Sequence, residues 1–570
     1  MTTEFGKVFV LGLDGATFDI IDPLIAEGRL PNLERLIQQG CGCELLSTIH
    51  PFSAQAWSSF MTGMNPGKHG IIDFTEHVKS EYRLKFLNAS HRRGKSLWRI
   101  LSDCGKKVGV VNVPFTYPPE EVNGFVISGM DAPSTVDDYM YPKTLSHEIM
   151  AEVGNYVIEV GVKDYIAKGR VTDFLAEIQN AFEVQMRTLK YLIENKPWDL
   201  FIYVCRLTDQ VQHYFWRYSD PHHPFYEEGA AIVLKEAVAS LYERIDRAIG
   251  SLIKFLGDEV SIIVVSDHGH GGINGKKIFL NKWLSQEGFL RFAERQNGRG
   301  SRMFGFVTGE RKRDILNFVR RTIPKRLRAG LVKKAPVLKD GFISREAFSN
   351  IDWEKTSAYS DEKKGNIWIN VTGCQPKVFI APGEEYEKVR EEFIARLREM
   401  RDPDSQEPIF PEVFRKEELY WGPYIENAPD IILTEGKRKY TYILQRSKSS
   451  EDKTSWIAPL NGYEMDNLPN ATHRLEGILM MRGRHLQKRG RVFKPASIID
   501  VAPTILHMMG LPVPQEMDGR VLIDLFQKKY VARHQVERVS SDGGEDKEKR
   551  EYSPEEEEII SERLRQLGYL

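Results

Sequence analysis

Short runs of almost uninterrupted apolar residues recur along this 570-residue chain, and each run ends in polar residues or glycine. Such runs indicate strands that are covered on both faces, which is typical of parallel sheets flanked by helices. Helical patterns separate the runs, for example over residues 30–40 and 241–257. The sequence therefore predicts an α/β fold with a mainly parallel sheet sandwiched by helices. The five clearest runs begin at Lys7, Lys107, Asp199, Ser261 and Asp430.

The overall charge is balanced, with 79 lysine and arginine residues against 80 aspartate and glutamate residues. This balance provides no general attraction to nucleic acid or to an anionic membrane, so no specific nucleic-acid partner is predicted. The five cysteines form neither a disulfide framework nor a CxxC pair, which favours a reducing compartment, and Cys41 and Cys43 are more simply buried thiols than metal ligands. The first residues lack the pattern of a secretory signal, and no run of about 18 apolar residues occurs. We therefore predict a cytoplasmic protein.

Local charge divides the chain into a split core, an insertion and a tail. Residues 1–290 and 346–530 are predicted to form the core, residues 291–345 a basic helical cap, and residues 531–570 a charged tail. Within the cap, residues 301–340 include 12 basic and 3 acidic residues, a net charge of +9. A basic helix can lie on an anionic membrane surface or attract a polyanion, but we favour a solvated cap.

The tail contains the pattern of a terminal helix. Ser553, Pro554 and Glu556 have the residue types and spacing of an N-cap, a first-turn proline and a capping-box partner. Gly568 is suited to end the helix, and four apolar residues before it fall on one helical face. We therefore expect a tethered helix that docks on another surface. The four apolar residues are Ile559, Ile560, Leu564 and Leu567.

Aspartate and histidine residues stand at the ends of several predicted strands. Each of them alone is more simply a helix cap, a turn residue or an ordinary surface or core histidine. Together they are predicted to meet at the carboxyl edge of the sheet, where ligands of α/β proteins bind. Three aspartates and three histidines would supply two sets of three ligands for metal ions. These residues are Asp14, Asp209, His213, Asp267, His268 and His473.

Two neighbouring ions suit phosphoryl chemistry, which also needs a nucleophile. The segment from residue 47 to residue 71 offers five hydroxyl side chains, and a hydroxyl at a helix N-terminus gains from the helix dipole and the free N–H groups. Ser53 fits best, because it follows Pro51 and precedes a predicted helix, where it would be both N-cap and nucleophile. The alternative is that Ser53 only caps the helix. The five candidates are Ser47, Ser53, Ser58, Ser59 and Thr62.

The order of these motifs resembles that of the alkaline phosphatase superfamily. More narrowly, it is similar to the type I phosphodiesterase/nucleotide pyrophosphatase group, in its branch of soluble prokaryotic phosphohydrolases and phosphomutases. The motifs are LGLDG, PFSAQAWSSFMTGMNPGKHGI, TDQVQH, SDHG and THRLEGI, in that order. The resemblance covers about residues 5–290 and 350–530 and implies an alkaline-phosphatase-like core. As an ordered set the motifs are specific, although each one alone is weak.

The resemblance implies a two-metal site with a serine nucleophile. One ion would be held by Asp14, Asp267 and His268, and the other by a second set of three ligands. Ser53 would bridge both ions, attack phosphorus in line and form a covalent phosphoserine-type intermediate that water then hydrolyses. The implied metal is zinc, with manganese as the alternative, and the implied substrate is a phosphodiester or phosphomonoester. The second set of ligands is Asp209, His213 and His473.

Two rival interpretations stay open at this point. A phosphomutase of the same superfamily would return the phosphoryl group to its substrate instead of passing it to water. A non-catalytic binding protein on the same scaffold is the third interpretation, but the presence of all six ligand residues and of Ser53 speaks against it.

The sequence departs from the nucleotide pyrophosphatase pattern after the HGI motif. The family usually has an asparagine there that holds a phosphate oxygen, whereas this chain has Asp73 and Phe74. Four basic residues near the nucleophile segment are candidates for replacement contacts, although charged loop residues are more often only solvated. These candidates are Lys68, Arg92, Arg93 and Lys95.

Overall fold

The computed structural model describes most of the chain. The described residues are 5–78, 81–133, 138–293, 348, 350–362, 365–372, 380–447, 455–492, 494–540, 549–566 and 569. Residues 294–347 lie outside this set, so nearly all of the predicted basic cap (291–345) falls outside the described residues. The membrane contact considered for residues 301–340 falls there as well.

The strands of the described residues are short and mostly buried. In chain order they are β1 (Val8–Leu13), β2 (Cys41–Leu46), β3 (Thr75–His77), β4 (Leu84–Phe86), β5 (Val108–Val113), β6 (Gly124–Ser128), β7 (Met140–Tyr141), β8 (Leu200–Cys205), β9 (Ser261–Val265), β10 (Gly269–Ile278), β11 (Ala358–Ser360), β12 (Asn366–Ile369), β13 (Glu412–Arg415), β14 (Ile431–Thr434), β15 (Thr441–Leu444), β16 (Ile457–Pro459), β17 (Ala471–Arg474), β18 (Glu476–Arg482), β19 (Gly490–Arg491), β20 (Ala496–Ser497), β21 (Val513–Pro514) and β22 (Arg538–Val539).

The helices lie between these strands. The α-helices are α1 (Phe18–Ala26), α2 (Pro31–Gln38), α3 (Ser53–Thr62), α4 (Pro66–His69), α5 (Leu97–Asp103), α6 (Thr144–Glu152), α7 (Lys163–Ile166), α8 (Val171–Asn195), α9 (Leu207–Ser219), α10 (Ile232–Lys235), α11 (Ala237–Leu256), α12 (Leu280–Gln286), α13 (Glu384–Arg398), α14 (Lys416–Leu419), α15 (Gly462–Asn467), α16 (Val501–Met508), α17 (Lys528–Arg533) and α18 (Pro554–Gln566). Short 3-10 helices cover Ala89–His91, Trp353–Lys355, Ile425–Asn427, Ile498–Asp500 and Ile523–Leu525.

A large sheet forms the centre of the molecule. Its strands run in the order β19-β2-β18-β9-β1-β8-β5-β6-β7, and β20 also pairs with β2. The central strands β9, β1, β8, β5 and β6 are parallel to their neighbours in this series. In contrast, β18 is antiparallel to both β2 and β9, and β7 is antiparallel to β6. The predicted mainly parallel α/β sheet is therefore confirmed.

Each face of this sheet carries its own hydrophobic core. Along β1, Phe9 and Leu11 contribute to one core while Val8 and Val10 contribute to the other, because neighbouring strand residues point to opposite faces. Helices α2, α8, α9 and α11 supply apolar residues to the first core, and α3, α5 and α16 supply the second. This two-sided burial explains the uninterrupted apolar runs in the sequence.

One predicted strand belongs to a different sheet. The run after Asp430 forms β14, which lies in a separate antiparallel sheet of order β11-β12-β14-β13. This sheet packs with α12 and α13 around a third core, which includes Phe393 and Ile431. An apolar run shows that a strand is buried but does not specify which sheet buries it, so the sequence placed this strand with the others.

The terminal helix docks on the first core of the same chain. Ser553 and Glu556 form the predicted capping box, with the Glu556 N–H donating to Ser553 Oγ at 3.2 Å and the Ser553 N–H donating to Glu556 Oε2 at 2.8 Å. Ile560 and Leu564 are buried in the first core, while the predicted Leu567 and Gly568 lie outside the described residues. None of the helices in the described part of the chain has the length and apolar character required to span a membrane.

Candidate active site

Three adjacent strands of the large sheet deliver acidic residues to one edge. Asp14 directly follows β1, and Asp267 with His268 follows its neighbour β9. Helix α9 begins just after β8, the neighbour of β1 on the other side, and it carries Asp209 and His213 one turn apart. The carboxyl ends of parallel strands share an edge, so these side chains meet there.

His473 reaches the same edge by a different route. It lies in β17, which pairs antiparallel with β10 and places His473 opposite His270. The following strand β18 runs antiparallel to β9, so it starts at the edge where β9 ends. His473 therefore precedes a strand instead of following one, contrary to the prediction that it stands at the carboxyl end of a parallel strand.

The first cluster, the acid-rich group, consists of Asp14, Asp267 and His268, all fully buried. His268 Nε2 lies 3.5 Å from Asp14 Oδ1 and 3.4 Å from Asp267 Oδ2. Burial, followed by the negative charge of Asp267, raises the pKa of Asp14 to about 8. Burial and the charge of Asp209 raise the pKa of Asp267 to about 7. Two carboxylates this crowded call for a neutralising cation.

The second cluster, the histidine-rich group, consists of Asp209, His213, His270 and His473. Asp209 Oδ1 lies 3.3 Å from both His213 Nε2 and His473 Nε2, and 3.6 Å from His270 Nδ1. The Nε2 atoms of His213 and His473 are 3.0 Å apart. Burial opposes ionisation of Asp209, but His213 and His473 outweigh it and hold the pKa of Asp209 well below its ordinary value.

Backbone carbonyls fix the orientation of three of the four histidines. The Nδ1 atoms of His213, His268 and His473 lie 2.7, 2.9 and 3.1 Å from the carbonyl oxygens of Ala471, Gly269 and Pro51, respectively. A carbonyl only accepts hydrogen bonds, so Nδ1 carries the proton in each ring and the lone pair sits on Nε2. That lone pair faces the acidic partner, which is the arrangement of a metal-ligating histidine.

Several buried atoms that face the two clusters have no hydrogen-bond partner within the described residues. Buried polar atoms are normally satisfied, so a concentration of unsatisfied ones at two adjoining points indicates a missing partner. Carboxylate oxygens and imidazole nitrogens form a donor set that suits divalent metal ions, so the residues fit two such ions. The atoms that can act as ligands are Asp14 Oδ1, Asp209 Oδ1, Asp267 Oδ2 and His268 Nε2, and His270 Nδ1 is a fifth buried atom without a partner there.

The other carboxylate oxygens are held from outside the clusters. Trp57 Nε1 donates to Asp14 Oδ2 at 3.2 Å, and Arg206 Nη2 donates to Asp209 Oδ2 at 2.9 Å. The Gly15 N–H donates to Asp267 Oδ1 at 3.3 Å. Gly15 has a φ of 71°, and a Cβ there would come within 2.9 Å of His270 Nδ1, so only glycine fits this turn. Each aspartate thus presents one held and one open oxygen.

Ser53 is the first residue of helix α3 and is completely buried. The N-cap is Phe52, in an extended conformation, and the Ser53 side chain makes no capping bond, so its predicted role as N-cap is wrong. Its hydroxyl lies near Asp267 and counteracts the rise of the pKa of that carboxyl group. A hydrogen bond of 2.7 Å joins Ser53 Oγ to Tyr569 Oη, from the end of the chain.

The structure adds four residues that the sequence analysis missed. His270 had a visible signal, because it stands two residues after His268 in SDHGHGG. Arg206 directly precedes the LTD motif, and Trp57 lies one helical turn after Ser53, but neither position is informative by itself. Tyr569 had no local signal, because it is 516 residues away from Ser53.

The four basic residues proposed for substrate contacts have their own partners. Lys68 Nζ pairs with Asp518 Oδ1 at 2.6 Å, and Lys95 Nζ pairs with Asp103 Oδ2 at 2.8 Å. The Arg92 guanidinium is buried and donates to the Phe115 carbonyl oxygen at 2.9 Å. The Arg93 guanidinium lies 5.9 Å from the centre of the Tyr424 ring. Their role in substrate binding stays a prediction.

A cavity of about 890 Å³ opens beside the histidine-rich group. His213 and His473 of that group are among its lining residues, together with Phe52 and Tyr569. None of the four basic residues discussed above lines this cavity, and Arg446 and Arg565 are two of its basic lining residues. The cavity is large enough for the organic part of a small-molecule ester.

The chain is similar to a known protein family and to several solved structures. A family model described as type I phosphodiesterase/nucleotide pyrophosphatase matches residues 8–464. The search of curated proteins returned no match. Murine ectonucleotide pyrophosphatase/phosphodiesterase 5 is 12% identical, with a TM-score of 0.46, and the match covers 91% of this chain and all of that chain. Phosphonoacetate hydrolase from Sinorhizobium meliloti 1021, in complex with phosphonoformate, is 16% identical with a TM-score of 0.49, covering 87% of this chain and 95% of that chain.

Proposed function

Because this chain belongs to the type I phosphodiesterase/nucleotide pyrophosphatase family and is a metal-dependent phosphoester hydrolase, we propose that Ser53 is its nucleophile. The proposed reaction is hydrolysis of a phosphodiester or phosphomonoester through a phosphoserine intermediate. The observation that carries this proposal is the contact of the buried Ser53 hydroxyl with Asp267 of the acid-rich group, close to the point where that group adjoins the histidine-rich group.

Contacts on both sides support that position. On one side, the Ser53 hydroxyl lies near Asp267 of the acid-rich group. On the other, the preceding loop touches the histidine-rich group, because His473 Nδ1 donates to the Pro51 carbonyl oxygen at 3.1 Å. The rings of His268 and His473 stack with their centres 3.9 Å apart, so the two groups adjoin. In this proposal, Ser53 would be close to ions held by either group.

Asp14, Asp267 and His268 would hold one ion, and Asp209, His213 and His473 would hold the other. Two divalent ions bound there would polarise the phosphoryl group and stabilise charge on the attacking and leaving oxygens. The predominance of imidazole in the second group favours zinc, and the carboxylates of the first group also suit manganese.

His270 has a different role in this proposal. His213 Nδ1 donates to the Ala471 carbonyl oxygen and lies 3.3 Å from His270 Nε2, which therefore accepts. The proton of a neutral His270 then sits on Nδ1, the atom that faces Asp209 Oδ1 at 3.6 Å. A protonated Nδ1 cannot bind a metal ion. We therefore assign His270 to orienting Asp209 rather than to holding an ion.

The chain's own contribution to the chemistry is positioning. Ser53 opens helix α3, whose first N–H groups lack acceptors within the helix and can bind phosphoryl oxygens. In the first step the bond from Ser53 Oγ to phosphorus forms, the ester bond breaks, and the leaving oxygen gains a proton. In the second step water attacks phosphorus, and Ser53 Oγ leaves and regains a proton.

The test is substitution of Ser53 together with a matched helix position. Ser53→Ala should retain its metal ions but lose turnover of p-nitrophenyl phosphate and bis-p-nitrophenyl phosphate by at least about a thousandfold. Ser58→Ala is the control, because Ser58 is buried in the same helix and its hydroxyl has no hydrogen-bond partner among the described residues. We expect full activity in the control.

Acid quenching during turnover should also trap a phosphoryl group on the peptide that contains Ser53. Full activity of Ser53→Ala would contradict the assignment of the nucleophile. The phosphomutase alternative predicts a trapped phosphoserine without release of inorganic phosphate, so a phosphate assay in the same experiment separates hydrolase from mutase.

A further inference from the structure

The last residues of the described chain are firmly attached beside the active site. Helix α18 is anchored by the buried Ile560 and Leu564 and by polar bonds at its end. Arg563 Nη1 donates to the Ala132 carbonyl oxygen at 2.7 Å, and Tyr214 Oη donates to the Gln566 carbonyl oxygen at 2.6 Å. Beyond the helix, the Tyr569 N–H donates to the Leu564 carbonyl oxygen at 2.8 Å. These contacts determine where the Tyr569 side chain points.

Tyr569 points into the active site and is only 1% exposed. Its ring centre lies 4.8 Å from that of Phe74, 5.5 Å from that of His473 and 6.1 Å from that of Phe52. Its hydroxyl oxygen reaches Ser53 Oγ at 2.7 Å. The Tyr569 ring is therefore packed among aromatic side chains, and its hydroxyl contacts the proposed nucleophile.

This arrangement separates Ser53 from the cavity. Tyr569 lines the cavity, but Ser53 does not line it and is itself fully buried. A phosphorus atom about to be attacked must come within roughly 3–3.5 Å of the nucleophilic oxygen. The Tyr569 hydroxyl, 2.7 Å from Ser53 Oγ, already occupies such a position, so a phosphoryl group that reaches Ser53 from the cavity past Tyr569 must displace it.

We propose that Tyr569 is an intramolecular plug: its phenol holds the place of the substrate phosphoryl group and must be displaced before Ser53 can react. This inference rests on the proposed function for the identity of the ligand, a phosphoryl group. A neutral phenol brings no negative charge to the site, so a phosphate ester competes with it once metal ions are bound. Only molecules with an open site can bind the phosphoryl group. The plug therefore raises the apparent Kd in inverse proportion to the fraction of molecules in which the site is open.

The test measures binding of inorganic phosphate to the zinc-loaded protein by calorimetry. Tyr569→Ala should lower the Kd for phosphate at least fivefold and lower KM for bis-p-nitrophenyl phosphate without lowering kcat. Tyr569→Phe removes only the hydroxyl and should give a smaller shift in the same direction. Glu555→Ala, an exposed position in the same helix, is the control and should behave as wild type.

A second measurement uses the wild-type protein, which avoids any folding defect of a variant. Adding phosphate should speed hydrogen exchange of the amides in residues 554–566, because displacing Tyr569 removes one anchor of the helix. Unchanged exchange in wild type, or an unchanged phosphate Kd in Tyr569→Ala, would overturn the plug.

The outcomes also distinguish failure of the plug from failure of the proposed function on which it rests. A fall of kcat in both Tyr569 variants with unchanged phosphate Kd would make Tyr569 a positioning residue for Ser53 and overturn the plug. Tighter phosphate binding in Tyr569→Ala, with no turnover of either ester by any variant or by wild type, would support the plug but contradict the proposed hydrolysis of such esters.

Discussion

The acid-rich and histidine-rich groups adjoin each other but differ in their balance of acidic and basic side chains. In the acid-rich group, two buried carboxylates face each other with one imidazole, and the pKa values of Asp14 and Asp267 rise to about 8 and about 7. In the histidine-rich group, one carboxylate faces three imidazoles, and the pKa of Asp209 falls well below its ordinary value. In the first group, Arg206 Nε lies 3.8 Å from Asp14 Oδ2 but does not prevent the rise in the pKa of Asp14, whereas the second group already holds Asp209 as an anion beside three imidazoles.

This difference in charge balance predicts how strongly each group needs a bound cation. The acid-rich group needs a cation to make burial of two carboxylates tolerable, because like charges in an apolar surrounding repel strongly. The histidine-rich group is partly balanced within itself, and its geometry is fixed by backbone carbonyls that accept from His213 and His473. We therefore expect substitutions in the acid-rich group to have the larger effects.

Among the substitutions of proposed ligands, the largest effect is expected for Asp14→Asn. The substitution keeps the shape of the side chain but removes the charge that would hold an ion next to Ser53. We expect one ion fewer per chain and a loss of several kcal/mol of transition-state stabilisation, about a thousandfold in kcat/KM. Metal analysis and kinetics with bis-p-nitrophenyl phosphate measure both.

Asp246→Ala is the matched control for this prediction. Asp246 is equally buried but accepts from the N–H groups of Asn32 and Leu33 at the start of α2. Its loss should lower the free energy of unfolding and leave both ions in place. Two ions per chain in Asp14→Asn would remove Asp14 from the ligand set.

A smaller effect, and a sharper test of the second group, comes from comparing His473→Ala with His270→Ala. His473 presents Nε2 to Asp209 and should be a ligand, so its loss should cost one ion and about a hundredfold in kcat/KM. His270 is assigned to orienting Asp209, so its loss should weaken ion binding by about tenfold and keep two ions at saturating zinc. Zinc titrations monitored by calorimetry measure both affinities.

Equal effects of the two histidine substitutions would contradict the distinction. Loss of an ion in His270→Ala alone would exchange the roles of the two residues. The distinction rests on two contacts: His270 Nε2 accepts from His213 Nδ1, which leaves the His270 proton on Nδ1, whereas His473 Nδ1 donates to the Pro51 carbonyl oxygen and leaves the lone pair on Nε2.

Much of this site could be predicted because short sequence motifs follow buried strands. Asp14, Asp209 and Asp267 each follow an apolar run, and three such runs form adjacent parallel strands. His473 lies with Asp209 and His213, as expected. The direction of its strand could not be predicted, because an apolar pattern depends on burial and not on strand direction.

Other features depend on tertiary contacts that no local pattern encodes. The strand after Asp430 is as apolar as its counterparts in the large sheet, although it packs in a separate antiparallel sheet. Ser53 was expected to cap α3, but the extended backbone of Phe52 makes Phe52 the cap. Tyr569 meets Ser53 only because α18 folds back onto the core. The helix was predictable from its capping box, whereas its docking surface was not.

An effect as small as that of His270→Ala is expected for a substitution of Trp57. Its Nε1 donates to Asp14 Oδ2 at 3.2 Å and so directs Oδ1 toward the acid-rich group. Trp57→Phe should weaken binding of one ion by about tenfold, the usual scale for a group that orients a ligand. Trp98→Phe is the matched control, because Trp98 is equally buried and donates to Glu120 Oε2 at 2.6 Å.

Both tryptophan variants should lose stability to a similar extent, and only Trp57→Phe should lose affinity for an ion. Competition with a fluorescent zinc chelator measures the affinity, and thermal unfolding measures the stability. The same zinc affinity in both variants would show that Asp14 does not need this hydrogen bond.

The central claim is that two ions flank Ser53, and a crystal structure of the zinc-loaded protein tests it most directly. Anomalous scattering at the zinc edge should give two peaks per chain. One peak is expected among Asp14, Asp267 and His268, and the other among Asp209, His213 and His473. A single peak, or peaks that leave either group without an ion at saturating zinc, would contradict the account.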